Sequence, residues 1–150
     1  MICRRAPHLL LGALLAAGAT ACGGSAGGPT GTAAGASSGS PTATSHNAGR
    51  DCLSCHRDLS VAGTVYRESG AVYSGATVRL TTAPDGGGTV VLSLSSDASG
   101  NAYTSQRVSY GSGLYVDVAG SGGTRRAMKA AITSGACNAC HDASNRIRAD

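Results

Sequence analysis

The chain has 150 residues, with no Phe, no Trp, five Tyr and 23 Gly. So little aromatic volume excludes a large self-sufficient core and calls for a staple, metal or cofactor inside the fold. Charged residues make up 13% of the chain at a formal net charge of +4, which excludes both a basic nucleic-acid-binding face and a charge-driven disordered polymer.

Residues 1–21 read as an export signal. Arg4 and Arg5 form the positive start, Leu9 to Ala19 is apolar but too short to span a bilayer, and Ala19-Thr20-Ala21 places small residues before Cys22. Removing this segment leaves ten basic residues against eight acidic ones, a net charge of only +2. The run Ala19-Thr20-Ala21-Cys22-Gly23-Gly24 resembles a bacterial lipobox, with Ala19 where that pattern usually has Leu. The resemblance implies a lipid on Cys22 and a membrane anchor, and Gly23 rather than Asp after the cysteine implies the outer membrane. Cleavage after Ala21 by ordinary signal peptidase is the competing outcome, and would leave an odd exported thiol. The expected location is therefore the periplasm or cell surface. Residues 22–45 continue almost wholly in Gly, Ala, Ser and Thr, with Pro29 and Pro41 and no charge. Such a segment cannot bury enough to fold, and as a flexible coil it reaches about 25 Å.

The first chemically distinctive segment spans residues 46–60. Cys52-Leu53-Ser54-Cys55-His56 reads C-x-x-C-H, the attachment pattern for c-type haem. Two thiols three residues apart lie on one side of a tight turn, where they can bond the two vinyl groups of one porphyrin edge. The following His then meets the iron from one face.

Residues 61–124 read as a β domain. Val61 to Arg67 alternates with Val61, Gly63 and Val65 on one face; Ala76 to Thr82 sets Ala76, Val78 and Leu80 together; Thr89 to Ser95 sets Val90, Leu92 and Leu94 together. Further strands are predicted over Ala102 to Val108 and Leu114 to Ala119. Turn chemistry separates them at Glu68-Ser69-Gly70, Pro84 to Gly88, Asp97 to Asn101 and Gly120 to Gly123. Short strands with Gly-rich turns predict a mainly β fold, a small immunoglobulin- or transthyretin-like sandwich flanked by two haem-binding segments. Arg125 to Ile132 is predicted as a last strand or short helix leading into the second of them, residues 125–150.

That segment repeats the motif as Cys137-Asn138-Ala139-Cys140-His141. Three other chemistries use paired cysteines. Thiol–disulfide exchange normally sits at a helix start in a βαβ context, which this chain lacks; a four-cysteine zinc site leaves the following His unexplained in both copies; a bridge within C-x-x-C closes a short strained loop. Two covalent c-type haems use Cys52, Cys55, Cys137 and Cys140, and each iron takes one axial ligand, His56 or His141. For the remaining axial positions the mature chain offers His46 and Met128 as candidate distal ligands. Arg50, Arg57, Arg146 and Arg148 are candidates to meet haem propionates. The porphyrins would supply the apolar bulk that the composition lacks.

The middle segment resembles the carboxypeptidase regulatory-like, transthyretin-related β-sandwich. The resemblance rests on Val61-Ala62-Gly63-Thr64-Val65, on Ser74-Gly75-Ala76-Thr77-Val78-Arg79-Leu80, on Ser96-Asp97-Ala98-Ser99-Gly100-Asn101-Ala102-Tyr103, and on Gly113-Leu114-Tyr115-Val116-Asp117-Val118. Ala102 stands where that family tends to carry an aromatic. With a C-x-x-C-H site on either side, the chain resembles exported bacterial dihaem c-type cytochromes. The resemblance implies single-electron transfer with redox proteins or between copies of the chain, a scaffold role for the sandwich, and no enzyme activity. The alternatives are a haem enzyme or sensor with one five-coordinate iron, or a sandwich binding module in which haem is structural. Spacing alone leaves two haem placements open: opposite ends of the domain, roughly 20 Å apart, or a pair at one end.

Overall fold

A computed structural model describes residues 47–150. The expected signal, the tether with Cys22, and His46 lie outside the described residues. Within them the strands are β1 (Val61–Tyr66), β2 (Thr77–Thr81), β3 (Val90–Ser95), β4 (Asn101–Thr104), β5 (Tyr115–Ala119), β6 (Arg125–Ala127), β7 (Gly135–Ala136) and β8 (Ile147–Arg148). One 3-10 turn, Cys52–Ser54, precedes β1, and another, Cys137–Ala139, follows β7. The fold is mainly β, as the alternating pattern predicts, and forms two four-stranded sheets.

The sheet ordered β3-β2-β5-β6 is antiparallel throughout. Val78 lies opposite Leu94 and Val118, and Leu80 opposite Leu92 and Val116. The aliphatic sets read on separate strands therefore share one face, apart from Val90, which a register shift between Leu80 and Thr81 sets opposite Thr81 and leaves 44% exposed. That face meets Val61, Val65 and Ala102 of the other sheet in a core completed by Tyr73, Ala76, Leu114 and Ala149. Residues between the aliphatic ones point away from this core. Among them Arg79 sits opposite Asp117, donating from Nε at 3.0 Å and from Nη2 at 2.7 Å to its two carboxylate oxygens. Asp117 is only 1% exposed, so the planar guanidinium fork is what makes its buried charge tolerable.

The other sheet is organised around β1. On one side β4 runs antiparallel to it. On the other, β7 pairs in parallel with Val61 and Ala62, and β8 pairs in parallel with Val65 and Tyr66. Two short strands thus share one edge of β1, and the chain between them, residues 137–146, is an excursion from that edge. All six residues of β1 are buried. One face looks into the core, and the other is covered by segments around the two C-x-x-C-H turns.

Two features differ from the strand pattern expected from sequence. The strand predicted over Ala102 to Val108 stops at Thr104, because Ser60 Oγ takes the carbonyls of Thr104 and Gln106 and the chain then turns so that Val108 and Tyr110 pack on the core. The 125–150 segment is not merely appended to a domain ending at 124. It contributes β6 to one sheet and β7 and β8 to the other, joined by backbone hydrogen bonds that leave no side-chain periodicity in so short a strand.

Candidate functional site

Both C-x-x-C-H segments take the same local conformation. In the first, Cys55 N–H donates to Cys52 O at 3.2 Å and His56 N–H to the same carbonyl at 2.8 Å; in the second, Cys140 and His141 N–H donate to Cys137 O at 3.2 and 2.9 Å. The first thiol of each motif also donates to the carbonyl two residues upstream, Cys52 Sγ to Arg50 O at 3.5 Å and Cys137 Sγ to Gly135 O at 3.4 Å. The intervening pairs, Leu53-Ser54 and Asn138-Ala139, share no chemistry. The common turn therefore belongs to the spacing. Asp51 caps the first turn by accepting from Leu53 N–H at 3.1 Å.

The fold brings these turns to the same strand. Asn138, the first variable residue of the second motif and 4% exposed, joins them. Its Oδ1 accepts from Thr64 N–H at 3.1 Å, and its Nδ2 donates to Thr64 Oγ1 at 3.1 Å and to Arg50 O at 2.9 Å. The Thr64 hydroxyl also accepts from Gly49 N–H at 3.2 Å and donates to Asn101 Oδ1 at 2.9 Å. Both polar atoms of the Asn138 amide and the Thr64 hydroxyl are thus paired inside the protein. Arg50 and Gly49 lead into the first motif, so one amide side chain fastens the second motif to the approach of the first. On the other side of the strand Gly63 makes room for the second turn: a Cβ there would come within 2.8 Å of Cys137 Cβ and 3.4 Å of its Sγ.

The imidazole of His141 is held in a specific tautomer. Its Nδ1 lies 3.0 Å from Asn145 O. A carbonyl only accepts, so Nδ1 carries the hydrogen and a neutral ring keeps its lone pair on Nε2, the arrangement of a metal-ligating histidine. The loop that supplies this carbonyl is built for the purpose. Asp142 Oδ1 accepts from Ser144 N–H at 2.7 Å and Asn145 N–H at 3.1 Å, and Asn145 Nδ2 donates back to Cys140 O at 3.3 Å. His56 is exposed.

Cys52, Cys55 and Cys137 are in the thiol form, whereas Cys140 is disulfide-bonded. A thioether to haem at the second motif would need that sulfur reduced. Burial pushes the Cys137 thiol up to about 11, with the charges near it at Cys52 and Asp51 adding to the shift; burial and then Asp51 also raise Cys52. The phenol of Tyr110, which donates to Ser60 O at 3.4 Å, is pushed up to about 12 by burial and by Cys137. Its neutral form is thus the one the fold favours. The stability it contributes is intact below pH 10 and is lost as pH rises toward about 12. Denaturant titrations across that window should show falling stability, and Tyr110→Phe should flatten the fall. Some slope should survive, because burial raises Tyr103 in the same direction.

The structure therefore brings Cys52, Cys55, His56, Cys137, Cys140 and His141 to turns packed on one strand. Met128 is placed differently: it continues edge strand β6 of the second sheet, its N–H on Val116 O at 2.8 Å. Among the described residues no three His, Cys, Asp or Glu side chains converge on a common metal position. Nor is any helix among them long and apolar enough to cross a membrane. Sequence reasoning missed Thr64, Asn138 and Asn145. Thr64 reads as an outward strand residue and the other two as arbitrary loop positions, so only the order of chain segments around β1 reveals them. No family model, no curated protein and no solved structure matches the chain.

Proposed function

We propose that the protein is a dihaem c-type cytochrome, exported and tethered through a lipid on Cys22, that accepts and passes single electrons and has no substrate chemistry of its own. The observation that carries this reading is the matched folding of two C-x-x-C-H segments onto one strand, with His141 presenting Nε2 because Asn145 O holds its other nitrogen. Cys52 and Cys55 would bond one haem and Cys137 and Cys140 the other, with His56 and His141 as axial ligands. Bound haem supplies an iron that changes oxidation state by one electron. The protein's own residues attach it, orient it and hold the two sites close.

Asn138 spans the two motifs, which favours an internal pair over haems at opposite ends of the domain. Electrons then pass between two centres of one molecule before reaching a redox protein or a second copy. His46 and Met128 remain the candidates for the distal positions, Met128 from the far sheet. A filled distal position on each iron leaves no open site for an enzyme or gas sensor.

A reduced pyridine haemochrome spectrum with intact mass on the exported protein tests the reading. Two covalent haems per chain are expected, with no spectral change on adding carbon monoxide to the reduced protein. A chain exported without haem overturns the proposal. Met128→Ala should lower one of the two midpoint potentials, since thioether ligation raises the potential over that of bis-histidine iron.

A further inference from the structure

Among the described residues Arg146 is the one arginine with a buried nitrogen that has no hydrogen-bond partner. Its guanidinium carbon lies 4.6 Å from the centroid of the Tyr66 ring, and its Nη1 donates to Gly70 O at 3.2 Å. Its Nε is buried and has no hydrogen-bond partner. Leaving a charged donor buried and unpaired is costly, and a guanidinium edge is shaped for a carboxylate. The nearby carboxylates are otherwise engaged. Glu68 Oε1 meets Arg126 at 2.5 Å, Asp150 lies 3.9 Å from Arg126, and Glu68 Oε2 lies 3.8 Å from Arg148. Among the described residues no ion pair joins Arg146 to an acid.

The position is as informative as the missing partner. Arg146 directly follows Asn145, whose carbonyl holds His141. The Tyr66 ring beneath it ends β1, and a Cβ on Gly49, three residues before Cys52, would lie 3.0 Å from the Tyr66 hydroxyl. The stacked cation therefore sits between the entry to the first motif and the exit from the second. Arg50 and Arg57 are exposed, and Arg148 donates to Glu68 O at 2.7 Å.

Resting on the dihaem reading, we infer that Arg146 binds a haem propionate through Nε and its neighbouring N–H, and that this fixed cation raises the potential of that haem. The Tyr66 ring and Gly70 carbonyl hold the fork in place before the carboxylate arrives. A positive charge beside the haem favours the reduced state, which carries one charge less.

The test compares wild type, Arg146→Gln, Arg146→Lys and Arg148→Gln as exported holoproteins. Covalent haem is counted first. A wild-type chain without haem removes the dihaem reading itself, whatever the variants do. With two haems present, Arg146→Gln should lower one midpoint potential by about tenfold in that haem's reduction equilibrium, ~59 mV for one electron, and make it pH-dependent as the released propionate titrates. Arg146→Lys keeps the charge without the fork and should load haem with a smaller fall, so it decides the matter if the glutamine variant fails to fold. Arg148→Gln removes the same charge two residues away and should leave both potentials in place. Loaded Arg146 variants matching wild type at every pH, or an equal shift in Arg148→Gln, overturn the inference. So does a wild-type potential that moves with inorganic phosphate at constant ionic strength, which would assign the site to a free anion.

Discussion

Asn138→Leu is expected to cost about 1–3 kcal/mol of unfolding free energy, because it strips the partner from the buried Thr64 N–H, while the carbonyl of the exposed Arg50 keeps the Cys52 thiol and water. Leucine fits the volume, so the loss reads the polar network rather than a cavity. Asn138→Asp keeps an acceptor for Thr64 N–H but loses both donors and sets a carboxylate against the Arg50 carbonyl; it should lose as much. Ala139→Ser, on the exposed neighbour, should change stability by less than about 0.5 kcal/mol. Denaturant unfolding of the three variants checks the set, and an Asn138→Leu protein as stable as wild type would show that the two motifs do not depend on this side chain. On the dihaem proposal the same substitution should reduce the interaction between the haems, read as a smaller separation of the two midpoint potentials.

Gly135→Ala is expected to be nearly as damaging, although it adds a single methyl group. A Cβ at this position would collide with Ser60 O and come within 2.6 Å of the Tyr110 hydroxyl and 2.7 Å of Val61 Cα. Two of those three atoms are backbone of or beside β1 and cannot swing aside. The strand β7 must therefore leave β1, at a cost of about 1–3 kcal/mol toward the upper end of that range. Because β7 leads directly into Cys137, the second motif should come away with it. Thermal unfolding and alkylation of Cys137 in the apoprotein give separate readouts: the thiol should react faster once it no longer sits against Gly63. Unchanged stability with unchanged alkylation would remove Gly135 from the docking of the second turn.

The parts of the fold that were legible in the sequence are those with side-chain periodicity. Val78, Leu80, Leu92, Leu94 and Val118 declare the inner face of β2, β3 and β5 by their alternation, and the core places them there. The Asp97 to Asn101 turn is legible as well, since Asp97 Oδ1 accepts from Ser99 and Asn101 N–H at 2.8 and 2.9 Å. The strands β7 and β8 are not, because two residues paired through their backbones have no period to show. Thr64 is misleading for a related reason. In an alternating strand it reads as solvent-facing, yet it is 1% exposed because segments distant in sequence cover it. The two C-x-x-C-H segments were visible by spacing alone, whereas their closeness and the residues that enforce it depend on which late segments pair with β1.

The shared edge of β1 also ties down the second motif at two points. The second motif is looped out between β7 and β8, and β8 comes last in chain order. Until Ile147 and Arg148 zip onto Val65 and Tyr66, the loop carrying Cys137, Cys140 and His141 is secured at one end only. Closing that second end seats Cys137 against Gly63, where its thiol is shielded. On the dihaem proposal, cofactor attachment and completion of the sheet would compete for the same thiol. A chain that closed early would then lock out its second haem, and the yield of fully loaded protein should depend on how fast haem is attached relative to pairing of the final strand.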